Sequence, residues 1–333
     1  LAHFKNHGNR AGEGRALAFV GTVYKVRGEY DAAIAYHTQA LAIARDIGNK
    51  RSEGITLGHL GNVYQAQGHF DQAIAHRNQS IAIARDTGNK RDEGIDLGNL
   101  GIIYQVQGEL DQAIAHFNQS IAIHREVGNK RGEGVYLGNL GNVYQVQGEH
   151  DQAIAYYTQS IAIARDIGNK QGEGAYLGNL GDALFKLQRF DEAEAAFRAA
   201  IPICEFAMPI AAGAFRGSLA LLLAQRGKTD EALTLLKIGE PQVMTHPEEH
   251  AKLLCKKGKV CQLAGDTAGA QEALKQAQKI MAELKVPDDS ELGQAIAELV
   301  AILEGPGPSE GNDEDSSTEE RELALIEAER LME

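Results

Sequence analysis

The chain of 333 residues is 43 % hydrophobic, with 7 prolines and no tryptophan, and contains no run near the roughly 18 apolar residues of a membrane helix, which leaves an all-helical soluble protein as the expectation. Its net charge of -13 is unevenly spread: residues 304–333 hold 11 acidic and 2 basic residues, which leaves -4 for residues 1–303 and no basic stripe for nucleic acid. Three cysteines, Cys204, Cys255 and Cys261, are an odd number without paired spacing, so they read as buried small apolar residues of a reducing, cytoplasmic protein.

From its first residues the chain repeats. Gly28, Gly68, Gly108 and Gly148 fall 40 residues apart within one phrase, L-G-N-L-G-x-x-Y-Q-x-Q-G-x-x-D-Q-A-I-A-x-x-x-Q-S-I-A-I, then a charged pair and G-N-K, with lapses in the first copy. A period of this length with helical punctuation marks a solenoid, in which each unit packs on its neighbours. Leu1 falls inside such a unit, so a fragment of a longer protein is expected.

Each unit reads as two helices. In residues 91–130, Leu97, Leu100, Ile103 and Tyr104 stripe one face of a first helix that Gly108 ends. Leu110, Ala113, Ile114, Phe117, Ile121 and Ile123 stripe a second, with Asp111 expected to serve its free amides and dipole, and Gly128 to close it in a left-handed conformation. Gly101 and Ala113 stand where the pair must cross closely. The phase places hairpins near residues 10–47, 51–87, 91–127, 131–167 and 171–206. At the Phe117 position stand His37, Arg77, Tyr157 and Phe197, and Arg77 is expected to turn its guanidinium outward.

Beyond residue 206 the repeat degenerates. Leu219, Gly227, Ala232 and Leu236 outline one weaker hairpin, and Gly258, Gly265, Ala270 and Ala273 another. Between them Gly239, Pro241 and Pro247 predict a longer loop. A helix from Ser290 to Leu303 should cover the end of the stack. The domain reading is therefore five regular hairpins over 1–206, two degenerate hairpins and a cap over 207–303, a flexible acidic linker over 304–317, and an amphipathic helix over 318–333 with Leu325, Ala328 and Met332 on one face.

The L-G-x-x-Y motif, the glycine break and the A-x-x-x-F step resemble the tetratricopeptide repeat in a 40-residue form. The L-G-N-L-G run with its G-N-K-R-x-E-G linker most resembles arrays of the partner-of-inscuteable and kinesin-light-chain type and similar bacterial arrays. The resemblance implies an all-α fold, an α-solenoid coiling as a right-handed superhelix, whose first helices line a concave groove. Counted from the L-G pair, the groove rows are Arg15, Ile55, Ile95, Val135 and Ala175; Thr22, Asn62, Ile102, Asn142 and Asp182; and Lys25, Gln65, Gln105, Gln145 and Phe185, with His59, Asn99, Asn139 and Asn179 beside them. Asn and Gln offer donors and acceptors to a peptide backbone. Arg15, Lys25, Asn62, Gln65, Asn99, Gln105, Asn139, Asn142, Gln145, Asn179, Asp182 and Phe185 are the candidate ligand contacts; Asn99, Asn139 and Asn179 equally fit bonds between repeats that set the twist.

Function follows as an expectation. No constellation of nucleophile, general base or metal ligands survives the repeat explanation: the Gly132, Gly134, Gly138 string follows a helix where a dinucleotide fingerprint needs a strand. No catalytic residue, metal or cofactor is therefore expected. The first-helix arginines with which partner-of-inscuteable proteins hold acidic peptides are represented only by Arg15, so an amphipathic or helical protein partner fits better. The leading expectation is a noncatalytic interaction scaffold, with the helix at 318–333 a possible ligand for its own or a neighbouring groove. The alternative is the sensor portion of a larger signalling enzyme: a kinase, protease or nucleotide-driven regulator.

Overall fold

The computed structural model describes residues 9–305, and the helix expected over 318–333, with all but the start of the linker before it, lies outside them. Among the described residues there are fifteen α-helices and no strand. Five regular hairpins are formed by α1 (Arg10–Val26) with α2 (Tyr30–Asp46), α3 (Lys50–Ala66) with α4 (Phe70–Asp86), α5 (Lys90–Val106) with α6 (Leu110–Glu126), α7 (Lys130–Val146) with α8 (His150–Asp166), and α9 (Lys170–Lys186) with α10 (Phe190–Ala207). Two more pair α11 (Pro209–Gln225) with α12 (Thr229–Val243) and α13 (Pro247–Leu263) with α14 (Thr267–Leu284). The last, α15 (Glu291–Glu304), buries Leu292, Ile296 and Leu299 against the final hairpin, as a cap must.

Backbone chemistry sets the 20-residue beat of the helices. In the first four hairpins the first helix stops at a glycine in the left-handed region, as at Gly68 (φ 77°) and Gly108 (φ 78°), and the second stops at another, as at Gly88 and Gly128 (φ 67° each). The asparagine of the G-N-K phrase then caps the next first helix: the amides of Gly12, Ser52, Asp92, Gly132 and Gly172 donate to Oδ1 of Asn9, Asn49, Asn89, Asn129 and Asn169. Second helices of the regular hairpins have no such cap. Asp111 lies in the first turn of α6, where its charge suits the dipole, but the cap residue is Glu109 and its side chain makes no capping bond, which corrects the role expected of Asp111.

A second correction concerns residues 239–247. Helix α12 runs through Gly239 and Pro241 to Val243, and only Met244–His246 separate it from α13. Gly239 is a packing residue: a Cβ there would lie 3.0 Å from the carbonyl oxygen of Gly213 on α11, so the two glycines let the helices cross backbone to backbone. Pro241 is exposed in the last turn, where it removes only one helical hydrogen bond.

In every regular hairpin the crossing is made at a glycine. A Cβ at Gly101, Gly141 or Gly181 would stand 2.7 Å from the ring of Phe117, Tyr157 or Phe197, and all three rings are fully buried. The serine three residues beyond adds a polar tie, with Ser80, Ser120 and Ser160 donating to the carbonyls of Gly54, Gly94 and Gly134. Each turn between regular hairpins buries a glutamate: Glu93 accepts from Arg85 at 2.7 Å and from Lys90 at 3.2 Å, and Glu53, Glu133 and Glu173 repeat the arrangement. Burial pushes the Glu93 carboxyl up, but the two cations outweigh it and hold the group below its usual range.

First helices of successive hairpins approach one another closely along the whole array, whereas second helices of successive hairpins stand further apart and are linked by long side chains such as Arg125 with Gln159 and Arg198 with Glu231. The stack therefore curves with the first helices on its inner, concave side. One irregularity breaks the 40-residue register. Met208 alone joins α10 to α11, so Phe215 takes the place that Tyr136 and Tyr176 hold in earlier repeats, and Arg216 turns instead to Glu205 and Gln242.

Two expectations test this reading. Gln188 occupies the left-handed turn position that glycine fills elsewhere (φ 57°), so Gln188→Gly should relieve strain and stabilise by about 0.5–1 kcal/mol, read as a higher urea midpoint; a lower midpoint would deny the strain. His37 sits fully buried on Gly21, and burial, with His59 and Lys25 nearby, holds its imidazole down to about 4. Because the unfolded imidazole titrates near 6.5, protons bind the unfolded chain first, and stability should fall between about pH 7 and pH 4, by up to roughly 3 kcal/mol from this group. His37→Phe should remove that part of the slope, and equal pH profiles of wild type and variant would show that the imidazole is not held neutral.

Candidate functional site

The concave face is built from one stripe of each first helix. Steps of four, four and three residues along α3 place Arg51, Ile55, His59 and Asn62 on that stripe, and α5 and α7 repeat it with Arg91, Ile95, Asn99 and Ile102, then Arg131, Val135, Asn139 and Asn142. Ile55 and Ile95 are 41 % and 36 % exposed, unusual for isoleucine in a packed helix, and they form an apolar floor. Arg51, Arg91 and Arg131 are exposed beside it and hold no ion pair within the described residues. This row is not among the expected contacts, although its 40-residue spacing is visible in the sequence, one turn before the rows that the resemblance implies.

The expected contacts divide into two groups. Gln65, Gln105, Asn99 and Asn139 are half-buried and make no side-chain hydrogen bond within the described residues, so their amides are available; Arg15 and Lys25 stand on α1 at the same face, also without an ion pair there. Others are engaged. The Tyr157 hydroxyl lies 2.7 Å from both Asn142 Oδ1 and Gln145 Oε1, and Asn179 Nδ2 donates to Asn142 Oδ1 at 3.0 Å, which joins α7 to α9. Asn179 thus ties repeats together, one of the two roles open to it. Asp182 lies beside Ser218 and Lys256, burial pushing its carboxyl up against the pull of Lys256, and Phe185 packs on Phe190 with ring centres 5.8 Å apart.

Arg77 departs most from expectation. Its side chain is 2 % exposed, not turned outward, and it pairs with Asp96 and hydrogen-bonds Asn62 Oδ1. A guanidinium in an aromatic slot is tolerable only with a carboxylate in reach, and the next hairpin supplies it 19 residues on. Burial pushes the Asp96 carboxyl up while Arg77 opposes the shift. Asn62, expected to face a ligand, is thereby engaged with Arg77. Above the pair a cavity of about 220 Å³ opens on the concave face between α3, α4 and α5, with Arg51, Ile55, His59, Ile95 and Asn99 on its walls. Among the described residues no group of three His, Cys, Asp or Glu side chains is arranged to hold a metal ion, and no helix is long and apolar enough to cross a membrane.

The comparisons agree with this architecture. A family model for the tetratricopeptide repeat matches residues 13–86, 95–166 and 135–206, and a second with the same description matches residues 213–237. No curated protein matches the sequence. Among solved structures, the apo form of RapI is similar at 14 % identity, covering 83 % of this chain and 100 % of that one with a TM-score of 0.66. The apo quorum sensor NprR from B. thuringiensis is similar at 17 % identity over 80 % of this chain and 75 % of that one, TM-score 0.63. A tetratricopeptide repeat protein from Parabacteroides merdae is similar at 16 % identity over 88 % and 100 %, TM-score 0.57. At these identities the likeness is one of fold.

The buried pair makes a stability prediction opposite in sign to that of an outward arginine. Arg77→Phe alone strands the Asp96 carboxylate and should destabilise by about 2–4 kcal/mol, whereas Arg77→Phe with Asp96→Tyr recreates the neighbouring Phe117 and Tyr136 pair and should recover most of the loss. A single variant as stable as wild type, measured by urea unfolding, would show that the pair is not formed.

Proposed function

The chain belongs to the tetratricopeptide repeat family, and from that premise we propose that its concave groove binds a peptide or helical segment of a protein partner, with no catalytic step of its own. The observation that carries this reading is the exposed Ile55 and Ile95 floor between available amides and unpaired arginines on one continuous face. Exposed isoleucines cost little singly, but a row of them flanked by hydrogen-bonding side chains suits the apolar stripe of an amphipathic helix. Arg51, Arg91 and Arg131 would then meet acidic residues along one edge of that helix, and Gln65, Gln105, Asn99 and Asn139 its polar flank. Buried thiols at Cys204, Cys255 and Cys261 suit a reducing cytoplasmic setting. The same groove would serve if the array is the sensing part of a larger signalling protein. One solved array of like fold is a Rap protein complexed with competence and sporulation factor.

The test is capture of partners from a lysate, identification by mass spectrometry, and titration of the captured segment against groove variants. Ile55→Asp with Ile95→Asp should weaken binding at least about tenfold with helicity unchanged, because hot-spot apolar contacts carry interface energy. Gln79→Glu with Gln119→Glu, on exposed positions of second helices, should leave it unchanged. The reverse pattern would place the partner on the convex face and end the groove reading.

A further inference from the structure

Between consecutive first helices runs a slot that the chain usually fills from within. The ring of Tyr136 lies on Gly98, that of Tyr176 on Gly138 and that of Phe215 on Gly178, so closely that a Cβ on any of the three glycines would overlap it. The Tyr136 hydroxyl donates to the Ile95 carbonyl at 3.2 Å, and the Tyr176 hydroxyl to the Val135 carbonyl at 3.3 Å. Each ring has a second ring as its neighbour from the same interface: Phe117 by Tyr136 at 6.1 Å, Tyr157 by Tyr176 at 6.4 Å, and Phe197 by Phe215 at 6.4 Å between centres.

The slot over Gly58 differs. Asp96 stands where the next two repeats carry tyrosine, and its shorter side chain stops at Arg77. At Gly58 the atoms nearest to a Cβ would be the Asp96 carboxylate, the Arg77 guanidinium and Ser80 Oγ, at 3.3, 3.5 and 3.8 Å. The space that a ring fills elsewhere is left as the cavity of about 220 Å³. Ile55, Ile83 and Ile95 give it apolar walls, and Asp96, Asn62 and Arg77 a polar end. For scale, an apolar protein cavity of about 150 Å³ admits benzene.

We propose that this cavity binds a phenol ring, either free or carried as a tyrosine side chain on the segment that the groove takes. The chain itself is the template: two copies of the same slot already hold a phenol. The ring lies over Gly58 between the isoleucines, and its hydroxyl donates to the Ile55 carbonyl, the acceptor equivalent to those of Ile95 and Val135, with the Asp96 carboxylate alongside. A plain hydrocarbon ring would displace water from the polar end without replacing its hydrogen bonds. The tyrosine-borne form rests on the groove reading above; the free-phenol form does not.

The experiment uses the full chain with p-cresol as probe and toluene as control, followed by amide and methyl NMR. Saturable shifts around Gly58, Ile95 and Asn99, with intermolecular contacts from the p-cresol ring to the Ile55 and Ile95 methyls, are expected. Toluene should bind at least about tenfold more weakly. Arg77→Phe with Asp96→Tyr fills the slot from within and should lose p-cresol binding; the intermolecular contacts in the wild-type protein decide the matter if that variant does not fold. Contacts elsewhere, equal binding of toluene, or binding that survives in the folded double variant would overturn the proposal. A Tyr→Phe change in a captured partner then assigns the source: weaker binding means a tyrosine-borne ring, unchanged binding means a free phenol. Loss of all groove binding with p-cresol still bound would remove the partner reading and leave the cavity.

Discussion

The two helices of each regular hairpin meet where a glycine of the first lies against a buried side chain of the second, and the rest of the array depends on that approach. At Gly101 a methyl group would already contact the Phe117 ring at 2.7 Å, closer than packed atoms tolerate. The ring is fully buried only because the helix beside it has no side chain at the crossing. A second glycine one turn earlier, Gly98, grants the next hairpin the same proximity through Tyr136. With the first contact made in every regular hairpin and the second at three successive interfaces, hairpins stack at a constant offset, the first helices are drawn together, and a concave face appears on their side.

A constant backbone offset leaves the contents of the slots free to vary. Three successive interfaces are filled by pairs of rings, whereas the one between α3 and α5 holds Arg77 and Asp96. The two solutions are not equivalent. Rings recover free energy by leaving water, while a buried ion pair roughly balances its desolvation and is expensive only to break. The pair fills less space than the rings it stands in for, so the interface with the least apolar interior is also the one with a cavity facing the groove. Chemistry and shape change together there because one substitution pair changes both.

The turns between regular hairpins distribute charge differently. Each buries one glutamate between an arginine of the helix before and a lysine of the helix after, so the chain reversal is neutralised locally. The arginines at the start of α3, α5 and α7 take no part in these clusters and remain on the concave edge. The array as a whole is acidic, but this edge is not.

Much of the hairpin was legible in the residues. Gly68, Gly88, Gly108 and Gly128 mark turns because left-handed backbone is a local property, and the helical stripes follow from a 3.6-residue period that involves no other part of the chain. Gly239 and Pro241 misled because a glycine that permits a close crossing and a glycine that ends a helix look alike in a string of letters. The same limit governs the groove: Asn142 and Gln145 were legible as groove positions, but their contacts with Tyr157 were not. Sequence alone therefore determined the helices, their turns and the face each would bury, since these arise from interactions within a few residues. Only the tertiary structure decided that Arg77 meets Asp96, that Phe215 and not Arg216 enters the ring slot, and that space remains over Gly58, because each depends on how one hairpin is seated on the next.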